Sequence, residues 1–349
     1  MIRYLEQYEK KNTRTMYEAN FPEDSKSFVD YYYEYKTRGN EILVMEREGE
    51  KLPTLQVMIH LNPTKLFIAE RVILVNYIVA VATDATCRKQ GKMAKTMEQA
   101  LRDMYRKQQP FTFLMPANPS VYRSLGFRFF QKQEEDVLEC AMEQKNNAEQ
   151  KKNCVYLQKV RVESIRNNDW EACAKFVNDE LQGKQDIFVY RDADYYRRLM
   201  AEMQSEHGAV MLVKENEEIV GTFSYGRYKT HIELREPIFK KKYEPQIEHI
   251  LQTAFWKERI VENPISNMVR ILDLRALGLL LKAKTPYLLK VKVTDDIIGE
   301  NNGCFEIKVT EKGGSISEIS AKEAECEMDI GTLSEHLFFS MDVSINEWV

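Results

Sequence analysis

The passage that most limits the fold is VAVATDATCRKQGKMAKTMEQAL, Val79 to Leu101. An apolar segment runs into a short turn, and the turn runs into an amphipathic pattern. The apolar period changes from 2 to 3.6 across the turn, so a strand–turn–helix unit is expected. RVILVNYIVAVAT takes the strand back to Arg71, and QGKMAKTMEQALRDMYRKQ takes the helix on to Gln108. A helix begins with unpartnered N–H groups and a positive dipole end, which together make an anion site without a metal. Arg88 and Lys92 would add charge-assisted hydrogen bonds, and Gly91 would let an anion approach where a Cβ would obstruct it. The spacing is neither G-x-x-x-x-G-K-[ST] nor G-x-G-x-x-G. By spacing alone, an R-x-x-G turn that opens a helix is more often only a turn.

The chain has 349 residues, too many for one typical core, so two or three domains are expected. With a formal net charge of −4 and acids and bases interspersed, it has no field for a polyanion, and nucleic acid is a poor partner. The N-terminal MIRYLEQYEKKNTRTMYEAN is charged throughout and unlike a signal peptide. The apolar run near RVILVNYIVAVA is broken by Asn76 and too short to span a bilayer, so no membrane is expected. Cys87, Cys140, Cys154, Cys173, Cys304 and Cys326 are scattered, with no C-x-x-C. That argues against zinc and against a disulfide framework, and for reduced thiols in a cytoplasmic protein with no metal. A homo-oligomer is compatible with the sequence, which carries no signal for or against assembly.

Along the chain, TRTMYEANF and DSKSFVDYYYEYKTRG read as helices, the second capped by Asp24 or Ser25. EILVMERE and LPTLQVMIHLN read as an antiparallel hairpin around GEKLP. FTFLMP is a short buried strand, SVYRSLGF a short helix, and RFFQKQEEDVLEC a returning strand. The polar residues 143–153 read as a linker. A second block follows: helices NNDWEACAKFVNDEL and DADYYRRLMAEMQSE, three strands over residues 208–239, and helix EPQIEHILQTAFWKER. It has no counterpart of Arg88-x-x-Gly91. In a third block, after Pro264, MVRILDLRALGLLL reads as helical, YLLKVKVTD and GCFEIKVTEKGG as half-buried strands, and TLSEHLFFSM as a last helix. The fold class is α/β (α+β): two α/β units followed by a small α+β unit.

Motif by motif, the chain resembles a known family. Val79–Leu101 resembles motif A of the Gcn5-related N-acetyltransferases (GNAT), whose pyrophosphate loop reads [QR]-x-x-G-x-[GA]. Arg88 and Gly91 match, and Met93 stands where the family has a small residue. Tyr122 stands four residues before Gly126-Phe127, as in the family's tyrosine helix. Over nearly its full length the chain resembles the Eis (enhanced intracellular survival) family: a catalytic GNAT domain, here 1–145, a degenerate GNAT-like domain, 154–263, and a sterol-carrier-protein-like domain, 265–349.

That resemblance implies acetyl transfer from acetyl-CoA to a primary amine on a small molecule, an aminoglycoside-like polyamine or a protein lysine. The implied acetyl-CoA site comprises Val79, Ala80, Val81, Arg88, Lys89, Gly91, Lys92, Met93, Ala94 and Asn118. Tyr122 is the implied general acid for the leaving thiolate, and a backbone N–H near Val81 the donor to the thioester carbonyl. The implied general base is the chain's own C-terminal carboxylate, on Val349. INEWV is apolar and aromatic up to its last residue, unlike a disordered tail. A rival from another class is a non-catalytic protein that uses the GNAT-like units as scaffold and binds CoA or an apolar ligand.

Other residues have plainer readings. Tyr31, Tyr32, Tyr33 and Tyr35 read as packing, with a cleft wall as the alternative. Glu23, Asp24 and Glu347 could attract a cationic amine or simply be solvated. His60, His207, His231, His249 and His336 are isolated and read as structural or exposed. GRYKTHIEL reads as an edge strand, with a site as the alternative.

Overall fold

A computed structural model describes residues 1–47, 54–130, 138–140, 160–255, 258–262 and 266–345. The GEKLP turn, the linker 143–153, the boundaries expected at 145, 154, 263 and 265, and the terminal residues Glu347, Trp348 and Val349 lie outside the described residues.

In the first unit the strands are β1 (Ile2–Tyr4), β2 (Glu41–Glu46), β3 (Leu55–Ile68), β4 (Arg71–Thr83), β5 (Phe111–Leu114) and β6 (Arg128–Phe129). Its helices are α1 (Arg14–Asn20), α2 (Lys26–Tyr35), α3 (Lys92–Arg106) and α4 (Pro119–Arg123). The Ser25 hydroxyl caps α2 by accepting from the Phe28 N–H at 3.0 Å. Helix α3 buries Met97, Ala100, Leu101 and Met104 completely against Leu43, Val57 and Ile59 of the sheet. Each large apolar side chain so buried contributes about 1.5–3 kcal/mol.

Strand β3 runs further than the sequence suggests, past Pro63. Pro63 lies opposite Asn76 of β4, whose backbone N–H and C=O turn away to the side chains of Gln109 and Thr112. The missing proline N–H therefore costs β4 no hydrogen bond.

The second unit has strands β7 (Leu138–Cys140), β8 (Val160–Ser164), β9 (Ile187–Val189), β10 (Ala209–Glu215), β11 (Glu218–Arg227), β12 (Ile232–Phe239) and β13 (Ile260–Glu262). Its helices span Trp170–Leu181, Ala193–Ser205 and Ile247–Ala254. The last unit has β14 (Met268–Ile271), β15 (Tyr287–Thr294), β16 (Gly303–Thr310), β17 (Gly313–Glu318), β18 (Cys326–Asp329) and β19 (Val343–Ser344), with helices Leu274–Gly278 and Ile330–Phe339.

Three sheets form among the described residues. One has the path β1-β2-β3-β4-β5-β14-β6, with β9 joined to both β3 and β19. The second is β7-β13-β12-β11-β10-β8, and the third β17-β16-β15-β18.

Three expectations are corrected here. MVRI is not helical: it is β14, inserted antiparallel between β5 and β6. All four of its residues are buried, so the run has no alternation to mark it as a strand. RFFQKQEEDVLEC is not one strand, because β6 joins the first sheet and β7 pairs with β13 in the second. GRYKTHIEL is not an edge strand: β12 lies between β11 and β13, and Tyr228–His231 connects β11 to it.

The units share their interiors. One cluster joins Tyr77, Phe111 and Phe113 of the first sheet to Leu333, Leu337 and Phe338 of the last helix. The inner face of the last sheet, through Val291, Val293, Phe305 and Ile307, is packed into the same cluster.

Candidate active site

Strands β4 and β5 part company where the site forms. They pair only at Tyr77 with Phe113 and Ile78 with Leu114. Beyond that point β4 continues to Thr83, while β5 ends and the chain turns off through Met115 to Asn118. At the divergence β4 also carries a bulge. Val79 faces His60 and Ala82 faces Met58, which leaves Ala80 and Val81 opposite Ile59 alone. Ala80 has φ +50°, a conformation unusual for a residue with a Cβ. A bulge of this kind frees backbone groups from the ladder and re-aims them.

The turn after β4 is closed by its own side chains. Asp84 accepts from the Thr86 N–H at 2.9 Å, and Gln90 donates to the Thr86 carbonyl at 3.0 Å. Lys89 and Gly91 have φ +59° and +71°. Gly91 is the N-cap of α3, a helix of 15 residues, and no side chain caps that end. The N–H groups of Lys92, Met93 and Ala94 are thus presented outward at the positive end of the dipole. A Cβ on Gly91 would have nothing within 4 Å, so within the protein it is the positive φ, not crowding, that calls for glycine.

The basic residues of the turn are tied to their neighbours. Arg88 Nη2 donates to Asn20 Oδ1 at 2.8 Å, anchoring the end of α1, and Nε reaches the Thr83 carbonyl at 3.4 Å. Lys92 Nζ donates to Cys87 Sγ at 3.5 Å. Met93, at the family's small position, packs with Ala94, Val81 and Tyr122 on the core beneath α3. Val79 and Ala80 pack on the opposite face of the sheet, with Tyr17 and Tyr32.

Asn118 starts α4 by accepting from the Ser120 N–H at 3.1 Å and hydroxyl at 2.8 Å, with Pro119 at the first helical position. Tyr122 follows on this short helix. Its carbonyl accepts from Leu125 and Phe127 N–H groups at 3.0 and 3.2 Å, and its ring meets Phe127 edge-on at 6.1 Å. Burial pushes the phenol up to about 12, which keeps it protonated at neutral pH. The structure therefore brings Val81, the start of α3 and Tyr122 onto one cluster.

Beside the slot opens a cleft of about 450 Å³ between the first two units, walled by Glu23, Asp24, Phe28, Met115, Glu206 and the Arg227–Lys229 connection. Asp24 accepts from the Tyr17 hydroxyl at 2.7 Å, and burial raises its pKa. Glu206 accepts from Ser25 at 3.0 Å. Sequence reading singled out Glu23 and Asp24, set GRYKTHIEL aside as an edge strand and passed over Met115 and Glu206, because these walls meet only through the packing of separate units.

Tyr31 and Tyr32 are buried packing residues, and Tyr32 bonds His60 Nδ1 at 2.9 Å. Burial depresses His60 to about 3, so it is a neutral core residue. Val349 lies outside the described residues. Close to the chain's end, the Ile345 carbonyl accepts from Asn267 at 2.8 Å. Asn267 directly precedes Met268, the partner of Leu114 at the end of β5.

A GNAT acetyltransferase domain model matches residues 1–130, and a sterol carrier protein domain model matches residues 271–343. The chain thus carries an N-terminal GNAT acetyltransferase domain and a C-terminal sterol carrier protein domain. The slot, the uncapped α3 and Tyr122 all fall inside the matched GNAT domain. Among solved structures, a GCN5-related N-acetyltransferase from Kribbella flavida is similar at 12% identity and TM-score 0.73, covering 100% of both chains. A probable N-acyltransferase from Enterococcus faecalis V583 is similar at 13% identity and TM-score 0.71, covering 96% of this chain and 88% of that one. Eis1 from Mycobacterium abscessus is similar at 12% identity and TM-score 0.67, covering 97% of this chain and 89% of that one. The chain thus shares the three-part, Eis-like fold: two GNAT-like domains and an α+β domain. A comparison with curated protein sequences found no match. Among the described residues, no helix is long and apolar enough to cross a membrane.

Proposed function

We propose that this GNAT acetyltransferase moves an acetyl group from acetyl-CoA to a cationic amine in the cytoplasm. In this reading residues 1–145 are catalytic, 154–263 form the second wall of the acceptor cleft, and 265–349 close the site while lending strand 268–271 to the first sheet. The observation that carries it is that the parted β4 and β5, the uncapped start of α3 and the half-buried Tyr122 all border one core cluster.

Each part has a task. The α3 amides, with Lys89 and Lys92, take the pyrophosphate. The arm of acetyl-CoA lies in the slot, where an N–H at Val81 polarises the thioester carbonyl. The amine enters from the cleft, drawn by Glu23 and Asp24. A lysine-like amine has a pKa of about 10.4 and must lose a proton before it can attack. The Val349 carboxylate takes that proton. The amine nitrogen bonds the carbonyl carbon, the C–S bond breaks, the leaving sulfur receives the Tyr122 proton, and the second proton shed by the acylated nitrogen restores the tyrosine hydroxyl through solvent.

The binding-protein reading has less support, because the sheet face an apolar ligand would use is filled by the last helix and the first sheet. Thiol release from acetyl-CoA by the untagged full chain, dependent on added amine, tests the proposal. Stoichiometric CoA binding without such release would favour the rival.

A further inference from the structure

Strand β14 carries one side chain from the last unit into the turn that ends α4. Arg270 is fully buried. Its Nε donates to the Leu125 carbonyl, Nη1 to the Ile271 carbonyl and Nη2 to Asp295 Oδ1, each at 2.7 Å. Asp295 is itself held by the N–H groups of Ile297 and Ile298 at 2.9 and 3.0 Å and by Asn301 at 3.0 Å. The anchor therefore stands in the last unit, and Nε meets the first. Leu125 belongs to Tyr122's own turn, since its N–H donates to the Tyr122 carbonyl at 3.0 Å. Next to it, Gly126 has φ +83°, and a Cβ there would stand 3.1 Å from Arg270 Nε and 3.0 Å from Ile330 Cγ2.

Helix α4 has only five residues, too few to fix its own direction. Asn118 holds its start, Arg128 Nη1 donates to the Arg123 carbonyl at its last residue at 2.9 Å, and Arg270 holds the turn that follows through the Leu125 carbonyl.

We propose that Arg270 is a positioning residue: through the Leu125 carbonyl it fixes the turn that aims Tyr122 at the slot between β4 and β5. The last unit thereby sets the geometry of chemistry performed in the first. This rests on the reading of Tyr122 as proton donor. In that reading the pyrophosphate is held by the amides at the start of α3 and the turn contributes only Tyr122, so loosening the turn slows the chemical step more than it weakens acetyl-CoA binding.

Arg270→Ala would strand Asp295 in the core, so Arg270→Lys is the better variant: it keeps the charge and gives up the planar Nε donor. The assay follows thiol release from acetyl-CoA by the untagged full chain, with spermidine as acceptor. In Arg270→Lys, kcat should fall about tenfold or more while the acetyl-CoA Kd stays within about twofold. Amide exchange across residues 119–127 should quicken, with α3 unchanged. Gly126→Ala presses a methyl against Nε without touching the ion pair, and should act alike if Arg270→Lys does not fold. In a Tyr122→Phe background neither change should lower kcat further. Equal losses in both backgrounds, or undisturbed exchange at 119–127, would overturn the inference. A Tyr122→Phe variant at the wild-type rate would instead sink the proton-donor reading. The exchange measurement, which needs no acceptor, would still decide whether Arg270 holds the turn.

Discussion

The Tyr17 hydroxyl donates to Asp24 Oδ2 at 2.7 Å on the wall of the inter-unit cleft. Burial raises the Asp24 pKa, the Tyr17 bond opposes that rise without cancelling it, and the charges of Glu23 and Glu206 add to it. A carboxyl whose folded pKa is raised stabilises the fold below its unfolded pKa, and that contribution is lost as pH rises through the folded value. At pH 7 the ionised Asp24 therefore costs folding free energy. Asp24→Asn should leave the melting temperature at pH 7 equal or higher, while raising KM for a cationic acceptor by about tenfold, the scale of one lost charge-assisted contact. A lower melting temperature in the asparagine variant would contradict this linkage.

Gly91 makes the second prediction. At φ +71° a β-branched residue is strained, by about 1–2 kcal/mol on the usual left-handed penalty. The space around it is open, so Gly91→Val should fold and instead distort the turn that presents the α3 amides. Acetyl-CoA affinity by calorimetry should fall about tenfold, the equivalent of that strain. Unchanged affinity would mean the pyrophosphate does not lie there.

Tyr122→Phe keeps the ring against Phe127 and removes only the hydroxyl. Turnover should drop about 100-fold or more, as for other positioned proton donors, with acetyl-CoA affinity retained. Because burial holds the phenol up to about 12, wild-type kcat should show no loss from tyrosine ionisation at pH 9. A basic limb that vanishes in Tyr122→Phe would show the hydroxyl ionising earlier than its surroundings imply.

The parts legible in the sequence were local ones. The strand–turn–helix passage declares itself through a change of period, and α3 begins at Gly91 as that pattern requires. Asn118-Pro119 is a cap followed by a helix-starting proline, so the tyrosine helix was also readable. What stayed hidden depends on partners far away in the chain. Met268–Ile271 is buried on both faces between β5 and β6, and a short apolar run carries no period to separate strand from helix. Ile187–Val189 is a strand only because the ends of β3 and β19 meet it. Nothing in the sequence singles out Arg270, because Asp295 and the Leu125 carbonyl close around it only in the fold.

The last prediction concerns the end of the chain. The Ile345 carbonyl is tied to Asn267, one residue before the strand that pairs with the end of β5. Residues 346–349 continue from that anchor, and four residues reach at most about 13 Å. The slot begins at the same end of β5, so the tether suits delivery of the Val349 carboxylate to an amine held there. Adding a few residues after Val349 keeps every side chain and moves only the charge. Deleting Trp348 and Val349 removes the charge together with the indole next to it in the chain. Each change should cut turnover by about 10²-fold, the usual contribution of a general base, with acetyl-CoA affinity and the melting temperature nearly intact. Asn267→Ala should act in the same direction more weakly, since it frees the tether but leaves the carboxylate in place. If the extended protein acetylates an amine at the untagged rate, the terminus is not the base, and Glu347 becomes the residue to replace next.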